Sequence, residues 1–550
     1  MRFLVILAAT ALSVPLTAAE AGRPAANDFE KCDGYFAPKN AADGMFTQTL
    51  MLGAGVEQTD FGAVQIAPPG ETTMASCRAA LADPRLKPEF WRRRAHLLQV
   101  LAFNLLSLDK PDEGLRALDD SDAAITGHED RYFQDSASVI NKLLRGLALF
   151  QLHRDQDAIA QLDAAEKARA YSQTYLKFAL AIRSAYQTTP AGLVADLRRD
   201  APLDPQLFGA LFRLSMIRND FTAAADYAPK VSFNIPTGHG GWTVEGEDQR
   251  SYERIKDRAD MFGAAAYAYL AVGDPGGSDA LLSQARHDLS DAIEPPSPNG
   301  AGKISKWASQ DYEQRIAAAT AAGTTLDKWA GLIALRRRLA GQQLAVAMPE
   351  LEKDAPERSM IIIDLFRQPS VQDPQERAER DKFLATIMER RDALVLKSQA
   401  LDFTRLGTIL PRVEQAREQP KIRKLNWFMS DNGFTIRPVE GEDYVEISFS
   451  SEEATPAMSE EAAMLAAARY TVQKGKDRFV IRAQSSLQRL LVGNVNGLIQ
   501  AGFEASVTIL PLGPTEKPPI WASGDGREIK ADAVIAALSA KYSPPEKTGN

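Results

Sequence analysis

The residues able to do chemistry are few and scattered. Five histidines, His96, His128, His153, His239 and His287, stand far apart, and none lies four residues from another. The spacing that puts two imidazoles on one helix face for a metal is therefore missing, as are H-E-x-x-H and C-x-x-C. No Gly-rich phosphate loop opens a helix after a strand, and no G-x-S-x-G elbow presents a serine. Gly238-His239-Gly240-Gly241 has the composition of an oxyanion loop, but the hydrolase pattern around it is lacking. Acid pairs such as Glu245/Glu247 read as a solvated loop face. These residues imply no catalytic constellation, no metal site and no cofactor, so an enzyme is not expected.

The two cysteines, Cys32 and Cys77, do not make a zinc site, which wants about four ligands. In an oxidising compartment such a pair forms a disulfide, worth about 3–5 kcal/mol in the chain-entropy picture. The first residues point to that compartment. Arg2 supplies a positive start, Phe3 to Leu16 an apolar run, and Ala19-Glu20-Ala21 a small-residue cleavage site, with Thr17-Ala18-Ala19 as the alternative. Residues 1–21 therefore read as a secretory signal peptide, cleaved near Ala19 or Ala21, and the bacterial style of the signal places the mature chain in the periplasm. No cysteine follows the apolar run, so no lipid anchor is expected, and no later stretch is apolar and long enough to span a bilayer. A net charge of −8 argues against a general nucleic-acid partner.

The elements that position everything else are helical hairpins. In Gly146–Ala165 the residues Gly146, Leu149, Ala158, Leu162 and Ala165 keep helical spacing on both sides of a turn around His153 to Asp155. Small residues at Gly146, Ala158 and Ala165 let two antiparallel helices approach. The same ruler fits Ala179, Ile182, Ala191 and Ala195 after 33 residues, and Phe212, Ser215, Ala224 and Ala228 after 33 more. It fits Ala102 to Ser121 44 residues upstream and Ala266 to Ala285 54 residues after the Phe212 unit. This pattern resembles the tetratricopeptide repeat, with leucines where that family often has aromatics. The resemblance implies an α-solenoid of stacked hairpins over 72–290, whose concave face binds peptides or proteins. Carried over, the first-helix residues Gln99, Phe103, Gln151, Gln173, Arg183, Arg213 and Tyr267 line that face. Arg183 and Arg213 have the guanidinium fork to clamp a carboxylate.

Around the array, residues 22–71 read as an irregular N-terminal stretch tied down by Cys32, with Thr72 to Ala82 a lone helix. The loop at 233–249, with His239 and Trp242, interrupts the array and is a candidate binding loop. Further helices are expected over 305–412, at Trp307–Ala321, Thr325–Leu339, Ala355–Phe366 and Asp373–Leu401. A small α/β domain, an α+β sandwich, spans 426–543, with 544–550 a tail. Its strands are Tyr444–Phe449, Arg478–Ile481 and Phe503–Leu512; its helices are Ser459–Gln473 and Lys530–Tyr542; Leu487–Ala501 reads as helical or irregular.

Residues 443–481, DYVEISFSSEEATPAMSEEAAMLAAARYTVQKGKDRFVI, resemble a family of small proteobacterial envelope proteins, mostly lipoproteins of unknown function. The shared elements are the strand Val445–Phe449, Thr455, the Ala-rich helix Ala462–Tyr470, Gly475 and the strand Phe479–Ile481. This resemblance implies an envelope location and no chemistry. The reading as a whole is a mainly α, exported interaction scaffold with a protein or peptide partner in the envelope. Its alternative is a binder of a small envelope metabolite or cell-wall fragment through the 233–249 loop. The Ala-rich hairpin faces can also pack on a second copy, which leaves a homo-oligomer open.

Overall fold

The computed structural model describes residues 27–45, 68–231, 246–293, 306–340, 361, 364–365, 374–414, 433–439, 441–451, 454–493, 497–524 and 526–542. Residues 1–21, read as a signal peptide, and His239 and Trp242 of the candidate binding loop lie outside them; Gly246–Gln249, read as the end of that loop, instead begin a helix. The described chain is mainly helical and carries one antiparallel sheet near its end. It divides into two compact units. One joins the residues up to Pro205 to those from Gln399 onward; the other is Gln206–Ser398, inserted within it. The stretch read as one array is thus divided after Pro205.

The first unit opens with α1 (Asp28–Asp33) and α2 (Glu71–Ala82), joined by the Cys32–Cys77 disulfide with an S–S length of 2.08 Å. Three hairpins follow: α3 (Trp91–Ser107) with α4 (Pro111–Ile125), α5 (Arg131–Gln151) with α6 (Asp155–Ala168), and α7 (Gln173–Tyr186) with α8 (Pro190–Asp200). The inserted unit begins with two more, α9 (Leu207–Ile217) with α10 (Phe221–Tyr227) and α11 (Gly246–Ala271) with α12 (Pro275–Ile293).

One device turns four of the five hairpins. The first helix ends in a left-handed residue: Asp109 (φ 57), His153 (φ 57), Asn219 (φ 55) or Gly273 (φ 89). The following N–H bonds back to the carbonyl five residues earlier, Lys110 to Leu105, Arg154 to Leu149, Asp220 to Ser215 and Asp274 to Tyr269, at 2.8–2.9 Å. The left-handed residue's own N–H bonds to the carbonyl three residues before it. This is the Schellman termination, which satisfies carbonyls that a helix end leaves without partners. The four turns recur at the same 44-, 66- and 54-residue steps as the sequence ruler. The α7–α8 turn differs: Gln187 is extended, Thr189 caps Gly192 N–H and Pro190 starts the next helix.

These turns carry a direct test. A Cβ at Gly273 would meet no atom within 4 Å, so Gly273→Ala isolates backbone strain. It should cost about 1 kcal/mol, whereas His153→Gly should gain roughly half as much. Urea midpoints read both; equal and near-zero shifts would refute the strain account.

Close packing between paired helices uses the small residues of the ruler. A Cβ at Gly146 would stand 2.7 Å from Leu162 Cδ2. Ala158, Leu162 and Ala165 are fully buried beside it.

In the inserted unit, α13 (Lys306–Leu339) packs on α11 and α12. Two helices were expected there, separated near Ala322-Gly323-Thr324, and one continuous helix of 34 residues is found. The Thr320, Thr324 and Thr325 hydroxyls donate to carbonyls four residues back, so these residues are accommodated within the helix. The charged helix α14 (Pro374–Ser398) follows. Of the stretch expected as helix Ala355–Phe366, only Ile361, Asp364 and Leu365 are described, and Ile361 is buried.

Back in the first unit, α15 (Phe403–Thr408) leads by way of Glu414 toward a five-stranded antiparallel sheet of order β1-β2-β4-β3-β5. Its strands are β1 (Gly433–Pro438), β2 (Val445–Ser451), β3 (Arg478–Gly493), β4 (Gly497–Leu512) and β5 (Ile529–Lys530). Helices α16 (Pro456–Gln473) and α17 (Ala531–Tyr542) share a core with Val445, Ile447, Phe449, Ile481, Val507 and Ile509. The alternation read in these strands is this one buried face. Leu487–Ala501 is corrected: it lies mostly in β3 and β4, which pair as a long hairpin out to Gly493 opposite Gly497. Its leucines, Gln and Arg favour a helix locally, and the pairing that overrides this is between strands. β1 and β5 were not read from the sequence at all.

Candidate interaction site

The segment Leu401–Glu414 returns from the inserted unit and lies against the first helices of the hairpins. Leu406 and Val413 are buried in the same core as α3, α5 and α7 residues, with Phe403, Ile409 and Leu410 packed against it. The Phe403 ring meets Phe103 of α3 at 5.8 Å, and a Cβ on Gly407 would touch the same ring at 3.4 Å. At the far end, Glu414 N–H donates to Ser136 Oγ of α5 at 2.8 Å. The chain's own return segment thus covers part of the face that was read as a ligand groove.

Glu414 ends in a buried ionic junction. Arg169, at the C-terminal cap of α6, reaches Glu414 at 2.6 Å and grips Glu461 of α16 with two donors at 2.7 and 3.1 Å. Lys541 of α17 holds the same two carboxylates at 3.3 and 3.2 Å. The Arg169 guanidinium lies 4.6 Å from the centre of the Tyr175 ring, and Tyr542 donates to Glu461. Arg169, Glu414 and Glu461 are at most 2 % exposed, so each charge depends on the others. Burial works to raise the Glu461 carboxyl, yet Arg169 and Lys541 together hold it below the usual carboxylate range. Tyr542 is pushed up by burial and by the same carboxylates.

Glu460 does a different task. It accepts from Ser172 Oγ at 2.7 Å, from Thr174 N–H at 2.9 Å and from Thr174 Oγ1 at 2.8 Å. It therefore caps the start of α7 from a distant part of the chain, satisfying a donor the helix leaves free. Burial raises its carboxyl despite these bonds.

A second buried cluster lies beside α1. Asp33 pairs with Arg93 of α3 at 2.8 Å, both fully buried. The Arg93 guanidinium lies 5.3 Å from the ring centres of both Phe29 and Tyr35. His96 Nε2 is 3.8 Å from Asp33. Burial, only partly offset by Arg93, pushes the Asp33 carboxyl up to about 6. Burial and then Arg93 push the His96 imidazole down to about 3. Arg412 of the return segment adds its field to both Tyr35 and His96.

The pair has a signed pH dependence. His96 binds its proton more tightly when unfolded, so it removes stability as pH falls below 6.5, by about 2 kcal/mol between pH 7 and 5. Asp33 binds its proton more tightly when folded, so it returns about 1 kcal/mol over the same window. Relative to the parent chain, His96→Gln should gain and Asp33→Asn should lose stability on acidification, by those amounts. Urea titrations at pH 7 and pH 5 decide it; both variants tracking the parent would refute the assignment.

The residues read as groove lining sit as follows. Gln99 is buried and donates to Ala137 O and Asn141 Oδ1, both at 2.9 Å, which ties α3 to α5. Phe103 is buried under Phe403 and Gly407. Gln151 donates to Leu106 O at 2.8 Å and Gln173 to Leu203 O at 3.2 Å. Arg183 does clamp a carboxylate with two donors, at 3.2 and 3.1 Å, but the carboxylate is Glu166 of the neighbouring helix α6. In the inserted unit, Arg213 reaches Met261 Sδ at 3.5 Å, and buried Tyr267 donates to Asp364, which Arg336 also holds. Within each unit these side chains therefore bond to their own chain.

The sequence reading did not single out Arg169, Glu414, Glu460 or Glu461. One signal was available: Glu460-Glu461 is an acidic pair at the head of an otherwise Ala-rich run, AAMLAAA. An acidic pair beside so apolar a surface calls for buried partners.

Among the described residues, no group of three or more His, Cys, Asp or Glu is placed to hold a metal, and no helix is long and apolar enough to cross a membrane. Comparisons with protein-family models, curated proteins and solved structures returned no match, which leaves the geometry of the site itself as the guide to its use.

Proposed function

We propose that this protein is an exported, periplasmic interaction scaffold of the cell envelope. Its hairpins stack as a tetratricopeptide-like solenoid, and its first-helix face takes peptide segments. One observation carries this reading: a stretch of chain distant in sequence lies on that face, anchored by an aromatic contact at Phe403 and a buried carboxylate at Glu414. The repeated Schellman turns add support, because they give successive hairpins a common local geometry.

Two experiments test the proposal. Cell fractionation with N-terminal sequencing should find the mature chain in the periplasm, starting at Glu20 or Gly22. Photo-crosslinking in cells, from the exposed positions Thr404 and Thr408 of the segment that lies on that face, should then return one envelope protein reproducibly. Links confined to the chain itself, or to a second copy of it, would overturn the partner reading.

A further inference from the structure

We infer that Leu401–Glu414 is a tethered occupant of the hairpin face, and that a peptide of the same chemistry supplied by a partner displaces it. The inference rests on the scaffold reading and adds the ligand class and the gate. The chemistry is read from the occupant. It presents an amphipathic turn, with Phe403 on the Phe103 ring and Leu406 buried. A tail outside regular secondary structure follows, in which Val413 is buried and Glu414 enters the cationic pocket of Arg169 and Lys541. A partner segment with an aromatic, a leucine one turn later and a glutamate eight residues after that leucine fits the same points.

The arrangement suits exchange. Asp402, Thr404, Arg405 and Thr408 are exposed, so one side of the turn faces solvent. The lone carboxylate at the tail's end is the specificity element, because Arg169 and Lys541 also hold Glu461 and so remain partnered when Glu414 leaves. An occupant tied to the same chain has a high effective concentration, so an outside peptide binds weakly until the turn is loosened.

The test uses the full chain and a fluorescein-labelled peptide of residues 401–414. Binding to Phe403→Ser/Leu406→Ser should be at least tenfold tighter than to the parent chain. The same peptide carrying Glu414→Gln should lose at least tenfold. A folded variant that binds no better than the parent, or indifference to the final carboxylate, overturns the inference. Should the double variant fail to fold, a photoreactive phenylalanine analogue at Phe403 of the otherwise unaltered chain replaces it. Its link to α3 should fall as peptide is added, and an undiminished link overturns the inference. A specific envelope partner found in cells together with no peptide exchange would leave the scaffold standing and remove only the gate.

Discussion

Replacing Arg169 with alanine should cost about 3–5 kcal/mol, the range for breaking a buried ion pair by removing one partner. The variant leaves Glu414 and Glu461, both at most 1 % exposed, with Lys541 as their remaining cation. Two buried carboxylates then share a single cation, and the α16–α17 layer loses the Arg169 tie to α6. The effect should be local in origin but wide in extent, because one guanidinium serves both the return segment and the C-terminal sheet domain. A comparison substitution sharpens the test. Arg183→Ala removes a buried arginine from Glu166, which keeps Arg199 as a second cation, and from Asp163, which is 59 % exposed, so a smaller loss is expected. The two urea midpoints decide the matter; equal losses would mean that Arg169 contributes packing rather than charge.

The second large effect is expected at the disulfide. Changing Cys32 and Cys77 together to alanine opens a loop with a sequence separation of 45 residues. The chain-entropy relation puts this at about 4 kcal/mol. Helix α1 has only six residues, too few to persist alone, so its position depends on tertiary ties. Those ties are the disulfide, the Asp33–Arg93 pair and Phe29 packed beside Arg93. Loss of α1 would strand Arg93 without its carboxylate, and the cysteine variant should then lose the pH signature of Asp33 as well. An unchanged urea midpoint would show that the Asp33–Arg93 pair holds α1 unaided.

These sites show what was legible in the chain. The turns were, because a Schellman turn is local: the spacing around Gly146, His153 and Leu162 encodes it within about one hairpin. The disulfide was, because two cysteines admit a single intrachain pairing. The strands Val445–Phe449 and Phe503–Leu512 were, because a sheet with one buried face writes its alternation directly into the sequence. Gln99, Phe103 and Arg183 read from the sequence as lining for a ligand groove, and in the structure each bonds to or packs on its own chain. The identity of what they face was not available locally.

That identity is what the tertiary structure decided. Phe103 faces Phe403, Arg169 faces Glu414 and Glu461, and α7 is capped by Glu460, each partner hundreds of residues away. The division of the array after Pro205 and the extension of β3 and β4 through Leu487–Ala501 belong to the same class. The sequence by itself determined the period of the helices, the sites of their turns and the face of the sheet, because those depend on neighbours within a few residues. Which buried charge meets which, and which segment covers the hairpin face, depended on where the chain returns after its long insertion, and no local pattern records that.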